Sequence, residues 1–370
     1  MESIFDEYQV LESARRLYEN RERERATMLL RDAISSQGTL HRSPLRPNAL
    51  LLLVEILSED LASSYEAQEL LRLNHIADSH EGRVAQLVIS YRQGSATLED
   101  AAVATEWVSH VSSRTSARLR LFIGKILAEH GALEHARRWI AGALHESRKA
   151  METDLVAAST GALAEVLFLG GDAKSALELF SLDAQLLPVG SRDTERLIVY
   201  RAHCFRQLHQ IEVARSLYTY AQQLSEIRGE SNPFALRGLL WCAVLEGEKD
   251  EAQSIFSRVE RANDAHSTAF GLLGVAALEQ EAKERAARLN AAASLFESER
   301  YSREYLWCKG KSPEVKTIPL ALSANPGPHV IDICDAPFLE HPLTPIELTY
   351  TRSAQAFTAG DHSEWMAGFF

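Results

Sequence analysis

Cysteine is scarce in this chain of 370 residues: Cys204, Cys242, Cys308 and Cys334 stand far apart, with no CxxC pair among them. That scarcity argues against a disulfide framework and against a thiolate zinc site, so a reducing compartment is the simpler assumption. Long apolar runs are missing as well. The longest, Ala49 to Leu57, is interrupted by Glu55 and falls far short of the roughly 18–20 residues a membrane-spanning helix needs. The opening residues Met-Glu-Ser-Ile-Phe-Asp-Glu are acidic where a secretory signal is basic and then apolar. No membrane insertion and no export are expected, and the cytoplasm is the predicted location. Positive charge is also in deficit, with 39 Lys and Arg against 51 Asp and Glu and a net charge of −12. Nucleic-acid binding rests on clustered cations that neutralise phosphates, so it is not expected here. The short basic runs at Arg118 to Arg120 and at Arg137-Arg138 read as solvated helix faces.

The chain does have material for a large interior. Hydrophobic residues make up 46% and charged residues 24%, with the two signs mixed, which is the composition of an ordered protein. Its length fits two or three ordinary domains or one elongated repeat domain, and a search for self-similarity favours the second. Gly124, Leu127, Gly131, Ala136, Ile140 and Ala143 recur in kind at the same offsets as Ala164, Leu167, Gly171, Ala176, Phe180 and, less well, Asp183. The ladder returns as Ala202, Phe205, His209, Ala214, Tyr218 and Ala221, then as Leu240, Ala243, Gly247, Ala252, Phe256 and Val259. Another copy is Gly274, Ala277, Glu281, Ala286, Asn290 and Ala293, and one near the start is Ala14, Leu17, Arg21, Ala26, Leu30 and Ala33. Ala67 with Leu71 and Ala101 with Thr105 mark two weaker copies.

These offsets have a physical meaning. A small residue followed three later by a large one puts a hole and a knob on one helical face, and the same spacing follows on the next helix. Two antiparallel helices can then approach closely. A turn residue five before the central alanine, such as Gly131, Gly171 or Gly247, tolerates the left-handed backbone that often ends a helix. Pro188 would stop the second helix of its copy.

On those residues the chain resembles the tetratricopeptide repeat family in its long-helix form, from about Phe5 to Phe296. An ordinary Ala-rich helical bundle is the competing fold. The resemblance implies an all-α, right-handed α-α superhelix of about eight helical hairpins over residues 1–311. Seven of the eleven prolines fall between positions 313 and 345, so an irregular extended arm is expected at 312–343. Thr344, Pro345 and Glu347 form a capping-box signal, and a terminal capping helix is expected within 344–370.

Catalytic signals are weak throughout. Gly310-Lys311-Ser312 ends like a phosphate loop, but Tyr305 stands where that loop needs glycine. His130 with His135 and His75 with His80 are five apart and fall on different helical faces, so no metal site is expected. His203 and Cys204 are adjacent and point about 100° apart on a helix, which makes a core cysteine the better reading than a thiolate pair. An enzymatic site around His329, Asp332, Cys334 and His341 lacks an assignable nucleophile, base and orienting group. Neither a catalytic residue nor a cofactor is expected.

In the family, the first helix of each hairpin lines a concave groove, and the resemblance implies the same here. The candidate partner-binding residues are then Arg196, Tyr200, His203, Arg206, Phe234, Arg237 and Trp241, with Gln207 beside them. Arginine and large aromatics dominate binding energy at interfaces, although Tyr200 and Trp241 could equally pack between hairpins. The Lys and Asn clamp of chaperone-binding members is not reproduced, since Leu121, Lys125, Gly161 and Glu165 fill the earlier copies. The arm carries Asp332, Asp335 and Glu340 beside Ile331, Ile333 and Phe338, a mixture that suits such a groove, so residues 313–343 could fold back into it. The expected function is a non-enzymatic scaffold or adaptor for a protein or peptide partner, compatible with homo-oligomerisation or with a place in a larger complex. The alternative is a peptide- or ligand-sensing regulator.

Overall fold

The computed structural model describes residues 2–19, 22–59, 61–186, 192–298 and 308. The expected arm, the capping helix and Pro188 lie outside the described residues. Among the described residues the chain forms sixteen α-helices and no strand, and no helix is long and apolar enough to cross a membrane. It divides into two compact units, with the boundary between Ser159 and Thr160.

The first unit contains α1 (Glu2–Glu19), α2 (Arg23–Ile34), α3 (Arg46–Leu57), α4 (Leu61–Leu73), α5 (His80–Arg92), α6 (Leu98–Ala104), α7 (Ser113–Glu129) and α8 (Leu133–Lys149). The boundary cuts α9 (Thr153–Leu169). The second unit continues with α10 (Ala173–Leu186), α11 (Arg192–Gln207), α12 (Ile211–Ile227), α13 (Pro233–Glu246), α14 (Lys249–Arg261), α15 (Ala265–Ala277) and α16 (Ala282–Ser298).

Each helix begins and ends for a local reason. Four first helices of hairpins start from side-chain caps: Ser79, Ser112, Asn232 and Asp264 accept from the backbone N–H groups of Gly82, Thr115, Ala235 and Ser267. Such caps satisfy donors that the helix itself leaves open. Among second helices, α6 is closed by a capping box at Thr97 and Asp172 accepts from Ser175 at the start of α10, whereas α2, α8, α12 and α14 start without a side-chain cap. Inside the hairpin the backbone closes on itself. Glu22, Ala132, Asp172, Gln210 and Glu248 donate to the carbonyls of Leu17, Leu127, Leu167, Phe205 and Ala243, the same rung of the ladder in five copies.

The residue before that donor is left-handed in four copies, at Gly131 (φ 80°), Gly171 (φ 89°), His209 (φ 58°) and Gly247 (φ 76°). A Cβ disfavours this conformation by about 1–2 kcal/mol. Replacing His209 with glycine should therefore stabilise the protein by about 0.5–1 kcal/mol, once the greater freedom of glycine in the unfolded chain is counted. Urea unfolding would check this, and an unchanged or lower midpoint would contradict it.

Packing follows the hole-and-knob expectation. The central alanines 26, 67, 101, 136, 176, 214 and 252 are completely buried. A Cβ built on Gly124 would lie 2.4 Å from Cγ1 of Ile140 on the partner helix of its hairpin, so only glycine leaves room for that side chain. Two expectations are corrected. Ala286 and Asn290 are exposed, and of this copy's ladder positions on α16 Ala293 is buried, together with Ala292 and Phe296, so the last copy keeps the ladder only in part. In that copy the Arg285 guanidinium donates to the carbonyl of Glu279, satisfying it through a side chain. Nor is Arg118 to Arg120 a solvated face: Arg118 is 7% exposed and donates to Ser58 Oγ at 2.9 Å, and Arg120 lies over the Trp139 ring.

Candidate functional site

Residues 196, 200, 203 and 207 recur on one face of α11, as 234, 237 and 241 do on α13. Within the second unit these faces hold a cluster of arginines, histidines and aromatic rings. Arg196 and Phe234 are exposed at its rim. Tyr200, Gln207 and Arg237 are half-buried, while His203, Arg206 and Trp241 are buried. Trp241 belongs to the second unit's hydrophobic core and supports the cluster from beneath.

The rings are stacked in sequence. Tyr200 stacks on Phe180 with centroids 5.3 Å apart, and His203 stacks on Phe168 at 5.9 Å. The hydroxyl of Tyr200 donates to Oε1 of Glu165 on α9 at 2.9 Å, and His203 Nδ1 is hydrogen-bonded to the Tyr218 hydroxyl on α12. Arg237 is held between two rings, its guanidinium carbon 5.3 Å from the centroid of Phe234 and 5.1 Å from that of Phe270 on α15. At such distances the ring faces attract the cation. Its Nη1 donates to His266 Nδ1 at 2.9 Å. A guanidinium only donates, so His266 is neutral there and carries its proton on Nε2.

The electrostatics are one-sided. Burial, then the neighbouring Arg206, pushes Arg237 down to about 10. It remains charged at neutral pH. Burial and Arg237 push His266 down to about 3, against a small opposing pull from Asp264, and burial with Arg206 and Arg237 holds His203 well below the ordinary histidine range. Burial, followed by the Glu165 carboxylate, raises Tyr200 far above the usual phenol value. Among the described residues no carboxylate forms an ion pair with Arg237.

This cluster implies a pH dependence of stability. The unfolded chain binds a proton at His266 near pH 6.5 and the folded chain only near 3, so stability is intact above 6.5 and declines as pH falls through that window. By pH 5 the loss from His266 alone should reach about 1–2 kcal/mol. Melting curves at pH 7 and pH 5 should differ by several degrees, and His266→Gln should flatten that difference. An equally steep dependence in the variant would exclude this origin.

Sequence reasoning named the arginines and aromatics of α11 and α13, read Tyr218 and Phe180 only as packing positions of the ladder, and missed His266, Phe270 and Phe168, which also hold the cluster. In the first unit Arg114 binds Glu55, Glu152 and Asp154 together, and Arg118 pairs with Glu55.

No protein-family model matches the sequence, and no curated protein matches it. Among solved structures the chain is similar to the crystal structure of the apo form of RapI, with a TM-score of 0.52 and 13% identity. The match covers 96% of this chain and 99% of that one. At that identity the likeness shows the fold alone, an all-α helical-repeat solenoid, in agreement with the helical hairpins of both units.

Proposed function

We propose that this protein is a non-enzymatic scaffold or adaptor of the cytoplasm, which binds a peptide or an extended segment of another protein on the first helices of its second unit. The observation that carries the reading is Arg237: a charged guanidinium, half-buried between Phe234 and Phe270, beside a second arginine and under an exposed aromatic rim. Arginine and aromatic groups in partly desolvated settings contribute disproportionately to protein binding. Bringing them together on successive helices is what a stack of hairpins does for an extended ligand.

The buried nucleophile candidates of this unit support a binding role over a catalytic one. Burial pushes the Cys204 thiol up to about 12 and the Cys242 thiol up to about 11, so neither supplies a thiolate at neutral pH. His203 and His266 are hydrogen-bonded to Tyr218 and Arg237 and are held uncharged. The regulatory reading, with the same face sensing a ligand, draws support from the structural neighbour having been described in an apo form.

Selecting displayed random peptides on the full chain tests the proposal. Enriched peptides should lose about 30-fold or more in affinity on Arg237→Glu, given the typical weight of such an anchor. Circular dichroism would show that the variant remains folded. Selection without enrichment, or peptides indifferent both to Arg237→Glu and to Phe234→Ala, would refute it. A small molecule that raises the melting temperature with no protein partner present would favour the regulator.

A further inference from the structure

We propose that α12 carries, besides the face it buries, a second apolar seam through which two copies of this chain associate, their α12 helices antiparallel across a two-fold axis at Tyr220. This is independent of the peptide-binding reading, since no residue of the seam belongs to the cluster on α11 and α13.

The sequence of α12 holds two interleaved apolar patterns. Ala214, Tyr218, Ala221, Gln222 and Ser225 are buried where the helix packs on α11 and α13. Val213, Leu217, Tyr220, Leu224 and Ile227 follow one another at intervals of four, three, four and three. That is the period of a coiled-coil seam, which keeps one apolar edge turned to a second helix. Within their own unit these residues are only half used. Leu217 and Leu224 rest half-buried against the core, whereas Val213 is 42% exposed, Tyr220 51% and Ile227 82%. The other flank of the helix is occupied by ion pairs, from Arg215 to Glu246 and Glu251 and from Glu226 to Arg258 of α14. Among the described residues no other second helix of this unit exposes a large apolar side chain. On α14, for example, Lys249, Gln253, Ser257 and Glu260 take the exposed positions.

An interface between identical chains has to complement itself, and this seam does. Reversed about Tyr220 it reads the same in kind: Val213 of one copy meets Ile227 of the other, Leu217 meets Leu224, and the two Tyr220 rings meet at the axis. Charge points the same way. Coiled coils that choose a different partner do so through charged residues flanking the seam, and like charges brought together across an axis repel. The flanking positions here are Ser216 and Gln223 on one side and Ala214 and Ala221 on the other, none of them charged. Size sets the strength. One pair of helices about 25 Å long, at 1.5 Å per residue over 17 residues, falls short of the roughly 1,200 Å² that stable interfaces bury. The dimer is therefore weak and forms as concentration rises.

Sedimentation velocity of the full chain at increasing concentration should show the monomer passing into a dimer. Tyr220→Glu sets two carboxylates against each other at the axis and should weaken association by about tenfold or more. Ile227→Glu places its charge at the ends of the seam and should weaken it less. Circular dichroism shows whether each variant is folded; if Tyr220→Glu is not, Ile227→Glu and cross-linking decide. Orientation is read by cysteine cross-linking in a background carrying Cys308→Ser and Cys334→Ser. Under mild oxidation Tyr220→Cys alone, and Val213→Cys mixed with Ile227→Cys, should give covalent dimers, while Val213→Cys alone should not. A chain that stays monomeric, a dimer indifferent to both glutamates, or Val213→Cys cross-linking to itself would overturn the proposal. So would a monomer that binds display-selected amphipathic helical peptides through Tyr220, for the seam would then belong to a different partner.

Discussion

Replacing Gly238 with alanine should lower the stability of the second unit by about 2 kcal/mol, although the same exchange in an exposed helix would raise it by about 1 kcal/mol through helix propensity. The sign depends on Tyr218. A Cβ at position 238 would lie 2.2 Å from Cε1 and 2.4 Å from Cζ of that ring, well inside van der Waals contact. The ring cannot retreat, since Tyr218 is completely buried in the core and its hydroxyl is hydrogen-bonded to His203. Overpacking of this kind costs about 1–3 kcal/mol, and an overlap of more than about 1 Å against an immobile ring belongs at the upper end of that range. Urea unfolding of wild type, Gly238→Ala, Tyr218→Leu and the double variant forms the cycle. The double variant should be markedly more stable than the sum of the single effects. Additivity, or a more stable Gly238→Ala, would show that the ring yields. Because Tyr218 also abuts His203, the alanine should weaken peptide binding along with stability.

This contact shows why so much of the fold could be read from the chain. The ladder's small and large positions are the residues that interlock, as with Gly124 against Ile140, and its turn position is the one that goes left-handed. The signal is local and periodic, so a single sequence carries it. It failed where periodicity continued without burial. In α16 the alanine pattern runs on through Ala286, but Ala286 is exposed where Ala293 is buried, and an alanine exposed on a helix looks the same in sequence as one buried. The basic run at Arg118 to Arg120 misled for the opposite reason: charge suggested solvent, whereas Glu55 and Ser58, some sixty residues earlier in the chain, receive Arg118. Pairings at that separation leave no local trace.

The site was legible in part for the same reason. Arg206, Arg237 and their aromatic neighbours on α11 and α13 were singled out because the repeat resemblance implies that first helices line a groove. Their surroundings did not, since Phe270 and His266 reach Arg237 from the next hairpin and Glu165 reaches Tyr200 from the previous one. A signal for the first pair was present: His266 and Phe270 are rings four apart in α15, a helix otherwise dominated by small and aliphatic residues. The depth of each side chain could not be read at all. Trp241 and Phe234 are both large aromatics on the same face of α13, yet Trp241 is 3% exposed and Phe234 44%.

Arg114→Met should destabilise the first unit by about 3–5 kcal/mol, the range for removing one partner from a buried ion pair and stranding the others. One guanidinium there serves three carboxylates from separate elements. Nη2 is 2.8 Å from Asp154 in the first turn of α9 and 3.2 Å from Glu55 on α3, and Nη1 contacts Glu152 just before α9. Burial alone would ease its proton off, but Glu55, Asp154 and Glu152 outweigh burial and hold it firmly charged. The Arg114 side chain is only 13% exposed, so little solvent screens the group. Methionine fills the volume and supplies no charge, leaving three carboxylates to repel one another, with Arg118 in contact with only one of them. Two measurements separate this cause from lost packing. Adding Glu152→Gln and Asp154→Asn to Arg114→Met should restore much of the deficit, and the deficit of the single variant should shrink as the pH is lowered and carboxylates protonate. Packing loss would be indifferent to both. Should the triple variant be no more stable than Arg114→Met, charge within the network is incidental to how α3, α7 and the start of α9 are held together.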